Sequence, residues 1–212
     1  MKIAIIGATG FIGSALLQEA ASRGHEITAL VSNPSKVPAL TNVTASQVDV
    51  LAQDSLTAKL DGHDAVISAF SGHAQSDVLG YYTAGIRSII SATKAAGVRR
   101  LLVVGGAGTL EVAPGIQLID TPQFPAQWKA TAEGARQALG LLRSEQELDW
   151  TFLAPSAHLE PGERTGKFRI GKDQLLLDES GQSHISVPDY AVAMIDELEH
   201  PAHSRGIFTV GY

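Results

Sequence analysis

A short apolar run, Lys2-Ile3-Ala4-Ile5-Ile6, passes directly into Gly7-Ala8-Thr9-Gly10-Phe11-Ile12-Gly13 and then into an Ala/Leu-rich stretch of helical character. Few folds accept three evenly spaced glycines between a strand and a helix. Gly7 allows the sharp turn out of the strand, Gly10 lets backbone N–H groups approach a pyrophosphate, and Gly13 lets the helix lie close on the sheet. The phosphates are then expected at the positive end of the helix that starts near Phe11. A tight strand-to-helix turn that binds nothing is the bland alternative, but strand, glycines and helix together supply the context that makes the motif a dinucleotide fingerprint. The spacing is G-x-x-G-x-x-G, one residue longer in its first interval than the G-x-G-x-x-G of dehydrogenase domains, and it points to a different branch.

Length and composition bound the setting. With 212 residues, 44% hydrophobic and 18% charged, the chain can bury one substantial core and is expected to form one domain over residues 1–212. The net charge is −6 and no Lys/Arg cluster exceeds Arg99-Arg100, which argues against nucleic acid or an anionic membrane as a partner. The absence of cysteine excludes disulfides, thiolate metal sites and thiol catalysis. Residues 3–6 are too short an apolar run for a signal segment and Gly7, Gly10 and Gly13 interrupt the next stretch, so a cytoplasmic protein is expected.

β-type runs alternate with helical patterns through the first two-thirds of the chain, the signature of a parallel sheet flanked by helices. Strands are predicted at Lys2–Ile6, Glu26–Val31, Val43–Val48, Ala65–Ala69, Leu101–Gly105 and Trp150–Ala154, with helices near Phe11–Arg23, Leu56–Leu60, Tyr81–Ala96 and Ala126–Ser144. Their nearly continuous Val, Ile, Leu and Ala content fits burial on both faces. The expected class is α/β, a doubly wound parallel sheet of Rossmann type. After Pro155 the pattern changes to polar turns and short strands, giving a small C-terminal substrate lobe over about 155–212 built on the same domain. There Phe168–Ile170 and Leu175–Leu177 read as a hairpin around Gly171-Lys172-Asp173. A last helix starts at Ser186-Val187-Pro188-Asp189 with Ser186 as cap and Asp189 reaching back, and His200-Pro201 stops it before a strand at Phe208–Val210.

The acidic residue that holds the NAD ribose usually ends the second strand, ~20 residues beyond the glycines. Here Val31-Ser32-Asn33-Pro34-Ser35-Lys36 contains no carboxylate. The groups of Ser32, Asn33 and Lys36 suit a 2′-phosphate, so NADP is favoured, with NAD possible. A solvated turn is the other reading. Asp49-Val50 is placed to border the adenine, and Ala69-Phe70, Gly105-Gly106 and Pro155 to border the nicotinamide ribose, because ligands bind outside the carboxyl ends of such strands.

Gly7-Ala8-Thr9-Gly10-Phe11-Ile12-Gly13, Leu101-Leu102-Val103-Val104-Gly105-Gly106-Ala107-Gly108, Asp149-Trp150-Thr151-Phe152-Leu153-Ala154-Pro155, Pro161-Gly162-Glu163-Arg164-Thr165-Gly166-Lys167 and Pro188-Asp189-Tyr190-Ala191 resemble the atypical short-chain dehydrogenases. More narrowly the chain is similar to the bacterial group named NAD(P)H-flavin reductases, related to the flavin reductase/biliverdin reductase B fold and to the NmrA-like regulators. The resemblance runs along nearly the whole chain and implies a Rossmann domain with a small C-terminal lobe and an NAD(P) cofactor. Many relatives carry Arg at the position of Ser32. The usual Ser at the end of the fifth strand and the Tyr-x-x-x-Lys pair are missing: the strand ends Gly105-Gly106-Ala107-Gly108, Thr109 is the first hydroxyl, and Lys129 stands four residues after Pro125. This disfavours alcohol/ketone dehydrogenation and epimerisation, which move a proton at oxygen.

Flavin reduction tolerates the loss, because stacked rings pass hydride while solvent supplies protons. FMN or another flavin is the expected acceptor, and quinone is a weaker possibility. Phe70, Trp128 and Phe168 are candidate walls of a flat slot, each also readable as core or lid packing. Lys129 and His158 are the candidate catalytic residues: Lys129 toward an isoalloxazine oxygen or flavin phosphate, and His158 because the related biliverdin reductase B pattern places a His after its Pro-Pro. His73 is a candidate gate. Glu163, Arg164 and Lys167 form either a substrate lid or a brace. No metal site is read from His25, His63 or His184, while His200 and His203 suit the end of the last helix. A binding-only sensor of NADP redox state is the alternative to an enzyme. The helices Tyr81–Ala96 and Ala126–Ser144 leave an oligomer possible.

Overall fold

The computed structural model describes residues 1–73 and 75–212. In chain order its strands are β1 (Lys2–Ile6), β2 (Glu26–Val31), β3 (Val43–Gln47), β4 (Ala65–Ser68), β5 (Arg100–Val104), β6 (Glu111–Ala113), β7 (Ile116–Gln117), β8 (Asp149–Ala154), β9 (His158–Glu160), β10 (Arg169–Gly171), β11 (His184–Ser186) and β12 (Gly206–Gly211). The helices are α1 (Phe11–Ser22), α2 (Gln53–Leu60), α3 (Val78–Ala95), α4 (Lys129–Arg143) and α5 (Val187–Glu199). Eight strands form one sheet in the order β10-β12-β8-β5-β4-β1-β2-β3, parallel throughout except for β10 against β12. The chain starts in the interior, at β1, and winds outward both ways. This places a topological switch point between β1 and β4, where the carboxyl edge opens into a crevice.

Strand periodicity divides the core into two layers. Along β1, Ile3 and Ile5 join α1 and α5 on one face, while Ala4 and Ile6 join the α2–α4 side. Each buried Ile or Leu contributes about 1.5–3 kcal/mol relative to exposure. At the amino edge, buried Arg100 donates from Nη2 to Glu197 of α5 (2.9 Å) and from Nη1 to Thr151 of β8 (2.8 Å), locking that helix to the sheet. Burial pushes the Glu197 carboxyl up, and hydrogen bonds from His203 and Ala202 bring it below its ordinary value.

Several boundaries differ from the sequence reading. α3 begins at Val78 because Asp77 caps it, accepting from the Gly80 amide at 2.9 Å. The predicted hairpin at 168–177 does not form. β10 instead pairs antiparallel with β12, Ile170 opposite Val210, and covers an otherwise open sheet edge. The chain then turns to β6, where the Leu175 amide donates to the Glu111 carbonyl at 2.9 Å. Within 155–212, α5 packs on α1 and β12 joins the main sheet, while β9 and β11 form a separate parallel ribbon beyond the end of β8. Among the described residues no helix is long and apolar enough to cross a membrane.

Candidate functional site

The glycine turn is compressed between β1 and β4. Gly7 has φ +79°, and a Cβ there would lie 2.7 Å from the Ala69 carbonyl oxygen. Its amide donates to the Leu30 carbonyl at 2.9 Å, which holds the turn against β2. A Cβ on Gly13 would collide with the Gly7 carbonyl oxygen, so α1 approaches the turn as closely as backbone permits. Gly10 caps α1 without a side-chain acceptor, and the first turn carries no acidic residue. The first intrahelical bond runs from Ser14 to Gly10 (2.9 Å), leaving the amides of Phe11, Ile12 and Gly13 as donors at the positive end of the helix. Ala8 and Thr9 complete the loop. This cradle fits a dinucleotide diphosphate: its donors are free of side-chain competition, and a larger residue at Gly7 or Gly13 would push the backbone of the turn apart.

At the β2 end, Ser32, Asn33 and Lys36 are exposed on a short 3-10 turn. The Asn33 side-chain oxygen is already used, accepting from the Ser35 amide (3.1 Å) and hydroxyl (2.8 Å). Ser32 and Lys36 keep their side chains open to a ligand. Asp49, exposed after β3, accepts from the Leu51 amide at 3.0 Å, and buried Val50 accepts through its carbonyl from Ser88 at 2.6 Å.

At the β4 and β5 ends the structure separates backbone from side-chain roles. Ala69 and Phe70 leave β4 toward the crevice, but the Phe70 ring turns into α3. It stacks on Tyr82 with centroids 6.0 Å apart and rings 7° from parallel, and it lies 5.3 Å from Tyr81. Phe70 is thus core packing rather than a wall of an acceptor slot. Phe168 likewise packs against the α1/α5 side. A Cβ on Gly106 would come within 2.9 Å of Ala135 Cβ, and one on Gly108 within 2.9 Å of Ala132 Cβ. The β5 exit therefore lies flat on α4, and a catalytic serine has no room at these two positions. Thr109 is buried and donates to the Gly106 carbonyl at 2.8 Å. Pro155 and Ser156 are buried beyond β8, with the Ser156 hydroxyl donating to Val210 at 2.7 Å.

Two tyrosines approach this region, Tyr82 from α3 and Tyr190 from α5. Burial pushes Tyr82 up to about 12 and Tyr190 well above its ordinary value. The hydroxyl of fully buried Tyr190, on α5, donates to the Leu153 carbonyl at 2.7 Å. Lys129 is exposed at the start of α4, where it shares a surface depression of about 340 Å³ with Ile119, Asp120, Glu133 and Arg136. His158 is exposed on β9, its amide bonded to Ser183 at 2.9 Å, and no hydrogen bond joins it to Lys129. His73 and Trp128 do meet, with ring centroids 5.9 Å apart and planes 89° from parallel. Among the described residues no cluster of three or more His, Cys, Asp or Glu is arranged to hold a metal.

The Pro161–Lys167 segment is a brace. Arg164 forms a two-pronged pair with Glu19 of α1 (2.7 and 2.8 Å). That pair is the main reason the Glu19 carboxyl sits below its ordinary value. Fully buried Asp189 accepts from the Thr165 and Gly166 amides (2.9 and 2.8 Å), the Thr165 hydroxyl (2.5 Å) and the Tyr212 hydroxyl (2.7 Å). Asp189 therefore does not reach back to the Ser186 amide, which bonds Tyr212 instead (3.3 Å), although Ser186 caps the helix as expected. The sequence signal for this clasp was the Thr165-Gly166 pair and a first-turn aspartate, neither of which names its partner.

A parallel doubly wound sheet with a glycine turn and a helix N-terminus at its switch point defines a Rossmann-type dinucleotide-binding fold. Residues 7–201 match a family model described as NAD(P)H-binding. The chain is 45% identical to the Bacillus subtilis protein YwnB over 216 residues, covering 99% of this chain and 98% of that protein. A solved structure from Bacteroides thetaiotaomicron, provisionally named an epimerase, is 45% identical with TM-score 0.93, covering 100% of this chain and 96% of that one. One from Streptococcus pneumoniae, whose name proposes an NADH-flavin reductase, is 35% identical with TM-score 0.86, covering 100% and 99%. The chain belongs to the NAD(P)H-binding family. The names of the relatives diverge, so the chemistry has to be read from the site.

Proposed function

We propose that the protein is an NAD(P)H-dependent oxidoreductase that delivers hydride to a flavin or a similar planar acceptor. One observation carries this reading: beside the dinucleotide cradle, the β5 exit is packed flat against α4, leaving no room for a serine at Gly106 or Gly108, and the Thr109 and Tyr190 hydroxyls donate to backbone carbonyls. An epimerase or alcohol dehydrogenase needs an acid or base at the substrate oxygen. A flavin acceptor needs only orientation and exclusion of side reactions.

In this reading the amides of Phe11, Ile12 and Gly13 hold the diphosphate, and Gly7, Ala8, Thr9 and Gly10 shape the turn on which it rests. Ser32 and Lys36, with the Asn33 amide, receive the 2′-phosphate of NADP, and Asp49 and Val50 border the adenine. Ala69, Phe70, Gly105, Gly106 and Pro155 present backbone and small surface to the nicotinamide end. When bound, the cofactor supplies the hydride from its nicotinamide ring. Lys129 and His158, both exposed, serve as candidate cationic or polar contacts to an acceptor's oxygens or phosphate. The same locked hydroxyls also suit a sensor that binds the dinucleotide without turnover.

Anaerobic oxidation of NADPH and of NADH by the purified protein, with FMN present and then omitted, separates the two. Flavin-dependent oxidation well above the protein-free rate, faster with NADPH, is the expected result. Tight cofactor binding with no such oxidation would overturn the enzyme reading in favour of the sensor.

A further inference from the structure

The carboxyl edge carries a contact that the cofactor site does not explain. His73 belongs to the connection between β4 and α3, and Trp128 ends the connection between β5 and α4; these two connections flank the nicotinamide end of the crevice. The His73 and Trp128 rings meet perpendicular to each other across that gap. Thr131, one turn further along α4, lies 3.3 Å from His73 Nδ1, so the tip of the β4 connection is held by two side chains on one helix face. Trp128 remains 52% exposed, whereas the other tryptophan, Trp150, is buried in the core. A half-exposed indole at a crevice mouth, met by one small ring perpendicular to its own plane, has more stacking surface than that contact uses.

We infer that Trp128 is the stacking platform for the planar acceptor, and that His73 is a latch which occupies the platform in the resting protein and leaves as the acceptor enters. The inference rests on the proposed acceptor class. Acceptor and latch compete for one surface: the perpendicular imidazole contact and a long hydrogen bond are weak, and a broad flat ring laid on the indole gains more contact than they provide. A platform of this kind selects an extended planar heterocycle such as isoalloxazine, and not a sugar or a small ketone.

The test is equilibrium binding of FMN in the presence of NADP+, read from FMN fluorescence, so that no turnover is needed. Trp128→Ala is expected to raise the FMN Kd about tenfold, Trp128→Phe to restore it to within about threefold, and the NADP+ Kd to stay within about twofold in both. His73→Ala is expected to lower the FMN Kd about threefold, because the competing contact is gone. An FMN Kd unmoved by Trp128→Ala, or raised by His73→Ala, would overturn the inference, as would failure of the wild-type protein to bind FMN. Binding that responds to these variants without any NADPH oxidation would leave the platform standing and sink the reductase reading. Oxidation of NADPH by FMN that ignores Trp128 would do the reverse.

Discussion

A single methyl group at Gly13 would meet the Gly7 carbonyl oxygen, the atom that also anchors the Gly10 amide at 3.0 Å. The cradle therefore has no slack at this residue. Gly13→Ala is expected to raise the NADPH Kd at least about tenfold by pushing α1 off the turn, a change readable by titration calorimetry. Unchanged affinity would mean that the phosphates bind elsewhere. Asp189 makes a second residue-scale claim. Burial alone would push its carboxyl up, but hydrogen bonds from Thr165, Gly166 and Tyr212 bring it below its ordinary value. A lowered folded value means that the unfolded chain takes up the proton first as pH falls. The stabilisation is thus complete above about pH 4 and is lost as acid protonates the folded carboxyl. Asp189→Asn is expected to lower Tm at neutral pH and to flatten the acid limb of the Tm–pH profile. An acid limb identical to wild type would contradict this. The glycines were legible in sequence because their spacing has a backbone meaning. The Asn33 oxygen was not, since only the folded turn shows that Ser35 has already taken it.

At the scale of elements, the 161–167 segment shows how a motif can be specific without being catalytic. Its Arg164 serves Glu19 on α1, its Thr165 and Gly166 serve Asp189 on α5, and its Glu163 carbonyl accepts from Ser186 at 2.8 Å. The segment thereby clasps the two helices that cover one face of the sheet. Arg164 is largely exposed and Glu19 keeps Arg23 as a second partner at 2.8 Å, so Arg164→Ala is expected to cost at most about 1 kcal/mol in chemical denaturation. NADPH oxidation should remain within about twofold of wild type. A collapse of turnover with stability intact would instead put Arg164 at the acceptor. The central strands were readable because apolar runs buried on both faces leave no other assignment. β9, β10 and β11 are three-residue strands whose partners lie far along the chain, and so short a run carries no periodicity to read.

The molecule as a whole sets a dinucleotide cradle at the switch point of its sheet, and the proposed acceptor side lies beside it. The cradle was legible because one contiguous motif builds it. The acceptor side was legible only through the groups missing from it. Its filling depends on side chains brought together from distant segments: Phe70 turned into α3, Tyr190 reaching Leu153, His73 meeting Trp128. Hydride transfer without a protein acid or base is the claim on which the proposed function turns. The measurement that tests it most directly is anaerobic single turnover of FMN with NADPH deuterated at the transferred position. Reduced-nicotinamide and oxidised-flavin absorbance are predicted to fall together, mole for mole, more slowly with deuterium than with hydrogen. NADPH that binds while both absorbances decline only at the protein-free rate would contradict it.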